Sequence, residues 1–147
     1  MSTNKVSQSN AILLVEDSLD DVLITRRALE KGRICNPLYV VNDGESALRF
    51  VRREGEFRNS CTPALVLLDL NMPKLDGFQV LKEMKRDQRL KSIPVVVLTT
   101  SDRDKDVERA YLLGCNSFIV KPVSFESFLK VLMSIKEYWL SISRVPG

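Results

Sequence analysis

The chain has 147 residues, of which 44% are hydrophobic and 28% are charged, a composition typical of one soluble globular domain. Its net charge of +3 is small and its basic residues alternate with acidic ones, which argues against nucleic-acid binding, and no apolar run approaches the roughly 20 residues that span a bilayer. Because the sequence contains no histidine, it cannot be a phosphohistidine donor, and Ser-His-Asp and Cys-His nucleophiles and most zinc sites are excluded.

The chain begins with a polar segment, Met1 to Asn10. It lacks the apolar stretch of a secretory signal, so we expect a flexible arm before a single domain at residues 11–147, in a cytoplasmic protein. Five short apolar runs follow, at residues 11–15, 38–41, 64–68, 94–98 and 117–120. The first, third and fourth are apolar throughout, which is typical of strands in a parallel sheet that is covered on both faces.

Helical patterns separate these runs. Their expected starts are Ser18 with Asp21, Asp43 before Gly44, Asp76 with Gln79, Asp102 or Asp104, and Ser124. The apolar residues expected to face the core are Val22, Ala28 and Leu29, then Ala47, Leu48 and Val51, then Val80, Leu81 and Met84, then Val107, Ala110 and Tyr111, and finally Phe125, Phe128, Leu129, Leu132 and Ile135. The polar stretch from Arg52 to Pro63 is expected to be a long loop.

Five strands alternating with five helices predict an α/β fold, a doubly wound five-stranded parallel sheet in the order 2-1-3-4-5 with flavodoxin-like topology. Polar residues follow the strands at their carboxyl ends, namely Glu16-Asp17, Asp69, Thr99-Thr100 and Lys121-Pro122. These ends lie along one rim of a parallel sheet, and the crevice forms where the strand order reverses. We therefore expect three carboxylates, a hydroxyl and an ammonium group to converge there.

Clustered carboxylates repel one another, and a divalent cation relieves that repulsion. Few ligands, all of them oxygen, favour Mg²⁺, which keeps several waters and a position for a phosphate oxygen. One carboxylate can then attack phosphorus to form an acyl phosphate. Lys121 would neutralise charge on the phosphoryl oxygens, and the Thr99 hydroxyl would hydrogen-bond the new group.

Each of these residues also has an ordinary structural explanation. Glu16 and Asp17 could complement the dipole of the next helix, Asp69 could lie in a turn, and Lys121 could be solvated. Phe118 is expected in the core on any interpretation. Their joint occurrence at successive strand ends favours a functional site.

Four blocks resemble the signature motifs of response-regulator receiver domains, over about residues 11 to 138. They are Leu14-Val15-Glu16-Asp17, Leu67-Leu68-Asp69-Leu70-Asn71-Met72-Pro73 with Asp76-Gly77, Leu98-Thr99-Thr100 and Val120-Lys121-Pro122. The resemblance implies a stand-alone regulator that receives a phosphoryl group from a sensor histidine kinase. Such a protein is not an enzyme beyond its own Mg²⁺-dependent phosphorylation and dephosphorylation.

The resemblance also implies a role for each residue. Asp69 would be the phosphoacceptor, and Mg²⁺ would be held by Glu16, Asp17, Asp69 and the backbone carbonyl of Asn71. The switch residues would be Thr99 and Phe118, and Lys121, before a cis Pro122, would bind phosphate. Asn71 and Ser101 each lie two positions past a site residue and could flank the path of an attacking water, so we expect them, together with Thr100, to tune the phosphate lifetime. Thr100 replaces a smaller residue and Phe118 replaces a tyrosine of the commonest family pattern.

A narrower resemblance connects the chain with the single-domain regulators that partner bacterial phytochrome kinases. Its features are the loop at 52–63, Thr99-Thr100-Ser101 and the end Glu137-Tyr138-Trp139-Leu140. Apolar residues outside the inward stripe of the last helix, Val131 and Met133, with Tyr138, Trp139 and Leu140 after them, predict a homodimer through the fourth helix, fifth strand and fifth helix. The alternative is that Trp139 folds back on its own domain.

Three other functions compete with this interpretation. A phosphatase of the haloacid-dehalogenase type would carry a DxDx[TV] motif on the first strand, which Glu16-Asp17-Ser18-Leu19 does not match. A flavodoxin-type flavin carrier would need a Ser/Thr/Gly-rich loop there. A degenerate receiver could act as a scaffold, although Glu16, Asp17, Asp69 and Lys121 are intact.

Overall fold

The computed structural model describes residues 9–72 and 74–142. Within them a five-stranded parallel sheet is formed by β1 (Ile12–Val15), β2 (Leu38–Val41), β3 (Leu65–Leu68), β4 (Val95–Thr99) and β5 (Ser117–Val120). The strand order is β2-β1-β3-β4-β5, which confirms the predicted topology. The order in which strands are added therefore reverses between β1 and β3, and the carboxyl ends of these two parallel strands lie side by side.

The helices are α1 (Leu19–Lys31), α2 (Gly44–Arg52), α3 (Gly77–Arg86), α4 (Asp104–Leu112) and α5 (Phe125–Ile135), and α5 continues as a π-helical segment at Lys136–Ile142. None of the helices in the described ranges is both long and apolar enough to cross a membrane.

The three central strands are buried on both faces because helices cover the sheet from each side. Side chains alternate along a strand, so Leu13 and Val15 pack with α2, α3 and α4, whereas Ile12 and Leu14 pack with α1 and α5. Each face of the sheet thus has its own apolar cluster. The two clusters hold the central strands in place, and with them the polar residues at the carboxyl ends of those strands.

Side-chain caps begin four of the helices, as predicted. Ser18, Asp43, Asp76 and Ser124 each accept a hydrogen bond from a backbone N–H three residues further on, and Asp76 forms a full capping box with Gln79.

The fourth helix differs from its prediction. Arg103 occupies the cap position of α4 and its side chain accepts no hydrogen bond from the backbone of the first turn, so neither Asp102 nor Asp104 caps the helix. Tyr111 was expected to face the core but is exposed, because its hydroxyl accepts a hydrogen bond of 3.2 Å from the N–H of Phe118 and this holds the ring at the surface.

The connection between α2 and β3 is more ordered than the predicted loop. Arg52 still belongs to α2, and Gly55–Phe57 forms a 3-10 turn. The turn is fixed because the Phe57 ring packs on the Phe50 ring, with 5.4 Å between centroids. The predicted arm falls mostly outside the described residues, which start at residue 9; Ser9 donates to the carbonyl of Thr62 and so lies against the domain.

Two glycines allow close packing around the β3–α3 connection. A methyl group at Gly77 would lie 2.7 Å from the Cα of Leu70, and closer still to the carbonyl oxygen of Asp69. A methyl group at Gly44 would lie 2.8 Å from Val80 and closer still to the carbonyl oxygen of Leu75. The backbone of Asp69 therefore lies against the first residue of α3, and the connection after it, at Leu75, lies against the first residue of α2.

Candidate functional site

Three carboxylates meet at the point where the strand order reverses. Glu16 and Asp17 follow β1, Asp69 follows β3, and one carboxylate oxygen of each lies within 4.8 Å of the others. Glu16 and Asp69 are only 2% and 7% exposed, whereas Asp17 is exposed. The predicted convergence of the three carboxylates is confirmed, and Asp17 is the one most open to solvent.

The electrostatics of this cluster favour a cation. Burial raises the pKa of Glu16 from its usual 4.5 to about 7; the Lys121 ammonium opposes that rise and the Asp69 carboxylate adds to it. Glu16 is therefore a carboxylate that a positive ion would stabilise. A set of carboxylate oxygens alone is the donor set that hard divalent cations prefer, so the residues present fit such an ion.

Lys121 bridges two acidic residues at the rim. Its Nζ donates to Glu16 Oε1 at 2.7 Å and to Asp21 Oδ2 at 2.9 Å. Burial alone would lower the pKa of Lys121, but the hydrogen bonds to Glu16 and Asp21 outweigh it and the pKa lies above 10.5. Lys121 is therefore held as a cation beside the carboxylates.

Asp21 was not among the site residues predicted from the sequence. Its sequence pattern predicted only a place at the start of α1, three residues after Ser18. Its position in the first turn of a helix that directly follows a strand end was the available signal, because such a turn lies over the rim.

Asn71 links the acidic cluster to Thr99. Its backbone N–H donates to Asp69 Oδ1 at 3.3 Å, and its side-chain amide donates to the Thr99 hydroxyl oxygen at 3.3 Å. The backbone N–H of Ser101 donates to that same oxygen at 3.4 Å, and Thr99 is fully buried. The structure therefore joins Asp69, Asn71 and Thr99 in one hydrogen-bonded chain.

The residues after Thr99 point in different directions. Ser101 turns toward α4, where its hydroxyl donates to Asp106 at 2.5 Å, and Arg103 donates to the same carboxylate at 3.2 Å. The hydrogen bond from Ser101 is the largest cause of the lowered pKa of Asp106. Thr100 is exposed and lines a cavity of about 660 Å³ between α1 and the β5–α5 connection.

Lys121, Pro122 and Val123 form another wall of that cavity. The Lys121–Pro122 peptide bond was expected to be cis, but the described residues contain only trans peptide bonds, so this expectation was wrong. Trans is the default even before proline, where its preference is only about 0.5–1 kcal/mol.

Phe118 lies away from the acidic cluster, in the middle of β5. It is half-buried and packs against the apolar cluster beneath α4, rather than being fully in the core. Its backbone N–H donates to the Tyr111 hydroxyl, which ties the edge strand to α4.

The two C-terminal aromatic residues differ in exposure. Trp139 packs against the apolar cluster of α1 and α5, as the folded-back alternative expected, whereas Tyr138 is 58% exposed. Their rings meet edge-on with centroids 4.8 Å apart. Both line a second cavity of about 470 Å³ together with Val131 and Ile119.

Comparisons with known proteins agree over nearly the whole chain. The family model of the response regulator receiver domain matches residues 12–133. The probable methanogenesis regulatory protein FilR2 of Methanothrix harundinacea is 46% identical over 137 residues, which are 92% of this chain and 87% of that protein. Response regulator Rcp1 of Synechocystis is 42% identical over 136 residues, 92% of each chain.

Two solved structures are also similar. A Mn²⁺-bound form of Rcp1 is 40% identical and superposes with a TM-score of 0.85, over 94% of this chain and 99% of that one. The phosphorylated cyanobacterial phytochrome response regulator RcpA is 40% identical with a TM-score of 0.87, over 95% of this chain and 99% of that one.

Proposed function

The chain belongs to the response regulator receiver domain family, and from that premise we propose that it is a stand-alone response regulator that accepts a phosphoryl group from a sensor histidine kinase on Asp69. The observation that carries the proposal is the buried Asp69 carboxylate at the end of the central strand, beside two further carboxylates and a held ammonium group. The relatives support the stand-alone form, because the chain matches 87% and 92% of their lengths.

The chemistry assigned to Asp69 is a direct displacement. One carboxylate oxygen of Asp69 attacks the phosphorus of the donor, an acyl phosphate forms, and the imidazole of the kinase leaves. Glu16, Asp17, Asp69 and the carbonyl of Asn71 would hold a Mg²⁺ ion, which neutralises charge on the phosphoryl oxygens when bound. The existence of a Mn²⁺-bound form of Rcp1 supports the binding of a divalent ion. The protein then has no substrate other than its own aspartate.

The surface next to the site suits a helical kinase partner. Apolar side chains are exposed there on α1 (Leu19, Leu23 and Ile24) and on the β5–α5 connection (Val123). Ile24 and Val123 line the cavity that has Lys121 in its wall. An apolar surface beside an acceptor carboxylate is what docking of a phosphohistidine helix requires. Since RcpA is a phytochrome response regulator, we propose a phytochrome-type kinase, acting in the cytoplasm.

Signalling would begin with the hydrogen bond between Asn71 and Thr99. A phosphoryl group on Asp69 offers the Thr99 hydroxyl a charged acceptor, and the hydroxyl leaves the Asn71 amide to reach it. Phe118, half-buried on the neighbouring strand, can follow into the space that opens. Asn71, Thr100 and Ser101 would set how easily water reaches the phosphoryl group, so charged substitutions at Asn71 and Ser101 are expected to change the phosphate lifetime.

We also propose a homodimer through α4, β5 and α5. Tyr138 is exposed on that face beside Val131 and Ile119, and Trp139 is only partly covered by its own domain. Met133 is also exposed, but it lies on the α1 side of α5, next to Gly32. Light scattering of the wild type and of a chain truncated before Tyr138 tests this proposal. A dimer that the truncation weakens is expected, and a monomer in both preparations contradicts it.

Phosphotransfer from a panel of histidine kinases of the same genome tests the function itself. Each kinase is first labelled on its own histidine, and transfer to the wild type, Asp69→Asn and Asp102→Asn is compared. Asp102 is an exposed aspartate that follows β4 and serves as the matched control. We expect transfer to the wild type and the control but not to Asp69→Asn. Equal transfer to all three proteins would contradict the assignment.

A further inference from the structure

We propose that Asp21 is a positioning residue that holds the Lys121 ammonium away from Asp69 in the unphosphorylated protein and releases it when a phosphoryl group arrives. This inference rests on the function proposed above. It concerns the state before phosphorylation and a residue outside the acidic cluster.

The placement of Lys121 carries the argument. Its Nζ is 2.7 Å from Glu16 Oε1 and 2.9 Å from Asp21 Oδ2, and among the described residues it makes no ion pair with Asp69 within 4.0 Å. An ammonium group has three N–H donors, so two of them are already directed toward Glu16 and Asp21. The cation is therefore drawn toward the start of α1, although the acceptor carboxylate lies across the same rim.

Glu16 and Asp21 have different environments, and this identifies Asp21 as the releasable partner. The Glu16 side chain is 3% exposed and belongs to the acidic cluster, where it needs a positive neighbour in every state. The Asp21 side chain is 37% exposed, stands on α1 and lines the cavity between α1 and the β5–α5 connection. Water can therefore replace Lys121 more readily at Asp21 than at Glu16.

Release of Asp21 also has a structural consequence. The Lys121 bond to Asp21 connects the end of β5 with the first turn of α1, next to the exposed apolar residues proposed for kinase docking. Movement of Lys121 onto a phosphoryl oxygen removes that connection. The first turn of α1 then differs between the two states of the protein.

Neutralising Asp21 should favour the phosphorylated form. The contact between Lys121 and a partly exposed carboxylate opposes the movement of Lys121 to the phosphoryl oxygens by about two- to fivefold in equilibrium constant, the range of exposed ion pairs. Asp20 is the matched control, because it is the neighbouring aspartate in the same helical turn, is exposed, and has no hydrogen bond or ion pair among the described residues. Asp20→Asn and Asp21→Asn change the net charge and the helix dipole alike.

The experiment measures binding of beryllofluoride, a mimic of the phosphoryl group, at saturating Mg²⁺. We expect Asp21→Asn to bind it about two- to fivefold more tightly than the wild type, Asp20→Asn to bind it as the wild type does, and Asp21→Glu to restore wild-type affinity. Weaker binding by Asp21→Asn, or equal affinities in Asp21→Asn and Asp20→Asn, would overturn the proposal.

A double-mutant cycle with Lys121→Gln separates this role from a purely structural one. Without the ammonium, Asp21→Asn should no longer change beryllofluoride affinity, and an unchanged effect in that background would mean that Asp21 does not act through Lys121. Wild-type protein that binds no beryllofluoride would refute the proposed function, and this inference with it. Normal wild-type binding with no difference between the two asparagine variants refutes only the role of Asp21.

Discussion

Gly77→Ala should destabilise the protein because the first residue of α3 lies against the backbone of Asp69. The new methyl carbon would lie 2.7 Å from the Cα of Leu70, whereas ordinary contacts begin at 3.4 Å, so the helix start has to move by at least 0.7 Å. The atoms it meets are backbone and cannot rotate away. The hydrogen bond from the Gly77 N–H to the Leu70 carbonyl, already 3.2 Å long, would then break.

The expected loss follows from these two effects. Forcing an extra methyl group into a packed position costs about 1–3 kcal/mol, and the lost hydrogen bond adds about 1 kcal/mol. Replacing glycine by alanine also reduces the conformational entropy of the unfolded chain, which offsets about 0.4–1 kcal/mol of the destabilisation. The net free energy of unfolding should fall by about 2 kcal/mol, which lowers Tm by about 4–8 °C in a chain of this size.

Urea and thermal unfolding, followed by far-ultraviolet circular dichroism, measure this loss. Gly32→Ala is the control, since Gly32 follows a helix with an ordinary φ of −79° and its nearest neighbours would be 3.3 Å from the methyl group. We expect the control to change stability by less than about 1 kcal/mol, because its neighbours need to yield only slightly. Mg²⁺ titration should show weaker binding by Gly77→Ala alone. If Gly77→Ala is as stable as Gly32→Ala, the steric reasoning is wrong.

Three further predictions concern the framework around the site. Asp43→Ala should lower the free energy of unfolding by about 1 kcal/mol because a helix cap is lost, and Asp43→Asn should lower it much less. The hydrogen bond from Ser46 lowers the pKa of Asp43 below 3.8, so the stability contributed by the ionised carboxylate is present above pH 3.8 and is lost as the pH falls through the lower pKa of the folded protein. Urea unfolding between pH 2 and 6 would detect this loss. Iodoacetamide at pH 8 should alkylate exposed Cys35 before buried Cys115, whose pKa burial raises to about 11, and equal rates would contradict this. Phe128→Ala should cost about 3–5 kcal/mol, since its ring fills the space between α1 and α5, and a loss below about 1 kcal/mol in urea would refute that packing.

The sequence was sufficient to predict the sheet order and the cluster of carboxylates because both follow from local patterns. Continuous apolar runs identify doubly covered strands, and parallel strands bring their carboxyl ends to one rim. Glu16, Asp17, Asp69 and Lys121 could therefore be placed together without any coordinates. The caps at Ser18, Asp43, Asp76 and Ser124 were equally local, since each depends on a side chain and an N–H three residues apart.

The features that were missed depend on side-chain direction and on contacts between distant segments. Asp21 reaches Lys121 across 100 residues of sequence, and nothing in the spacing of either residue indicates that pairing. Tyr111 has the spacing of a core residue, but its hydroxyl finds the N–H of Phe118 at the sheet edge and this brings the ring to the surface. Phe57 similarly orders part of a predicted loop because Phe50 is close in space.

The measurement that tests the central claim most directly is the chemical identification of the phosphorylated residue. The protein is treated with Mg²⁺ and a small phosphodonor, and borohydride then reduces any acyl phosphate to an alcohol, which peptide mass spectrometry locates. We predict reduction at Asp69 alone, dependent on Mg²⁺ and absent from Asp69→Asn. A reduced residue at Glu16 or Asp17, or a stable phosphate on a serine or threonine in place of Asp69, would contradict the account.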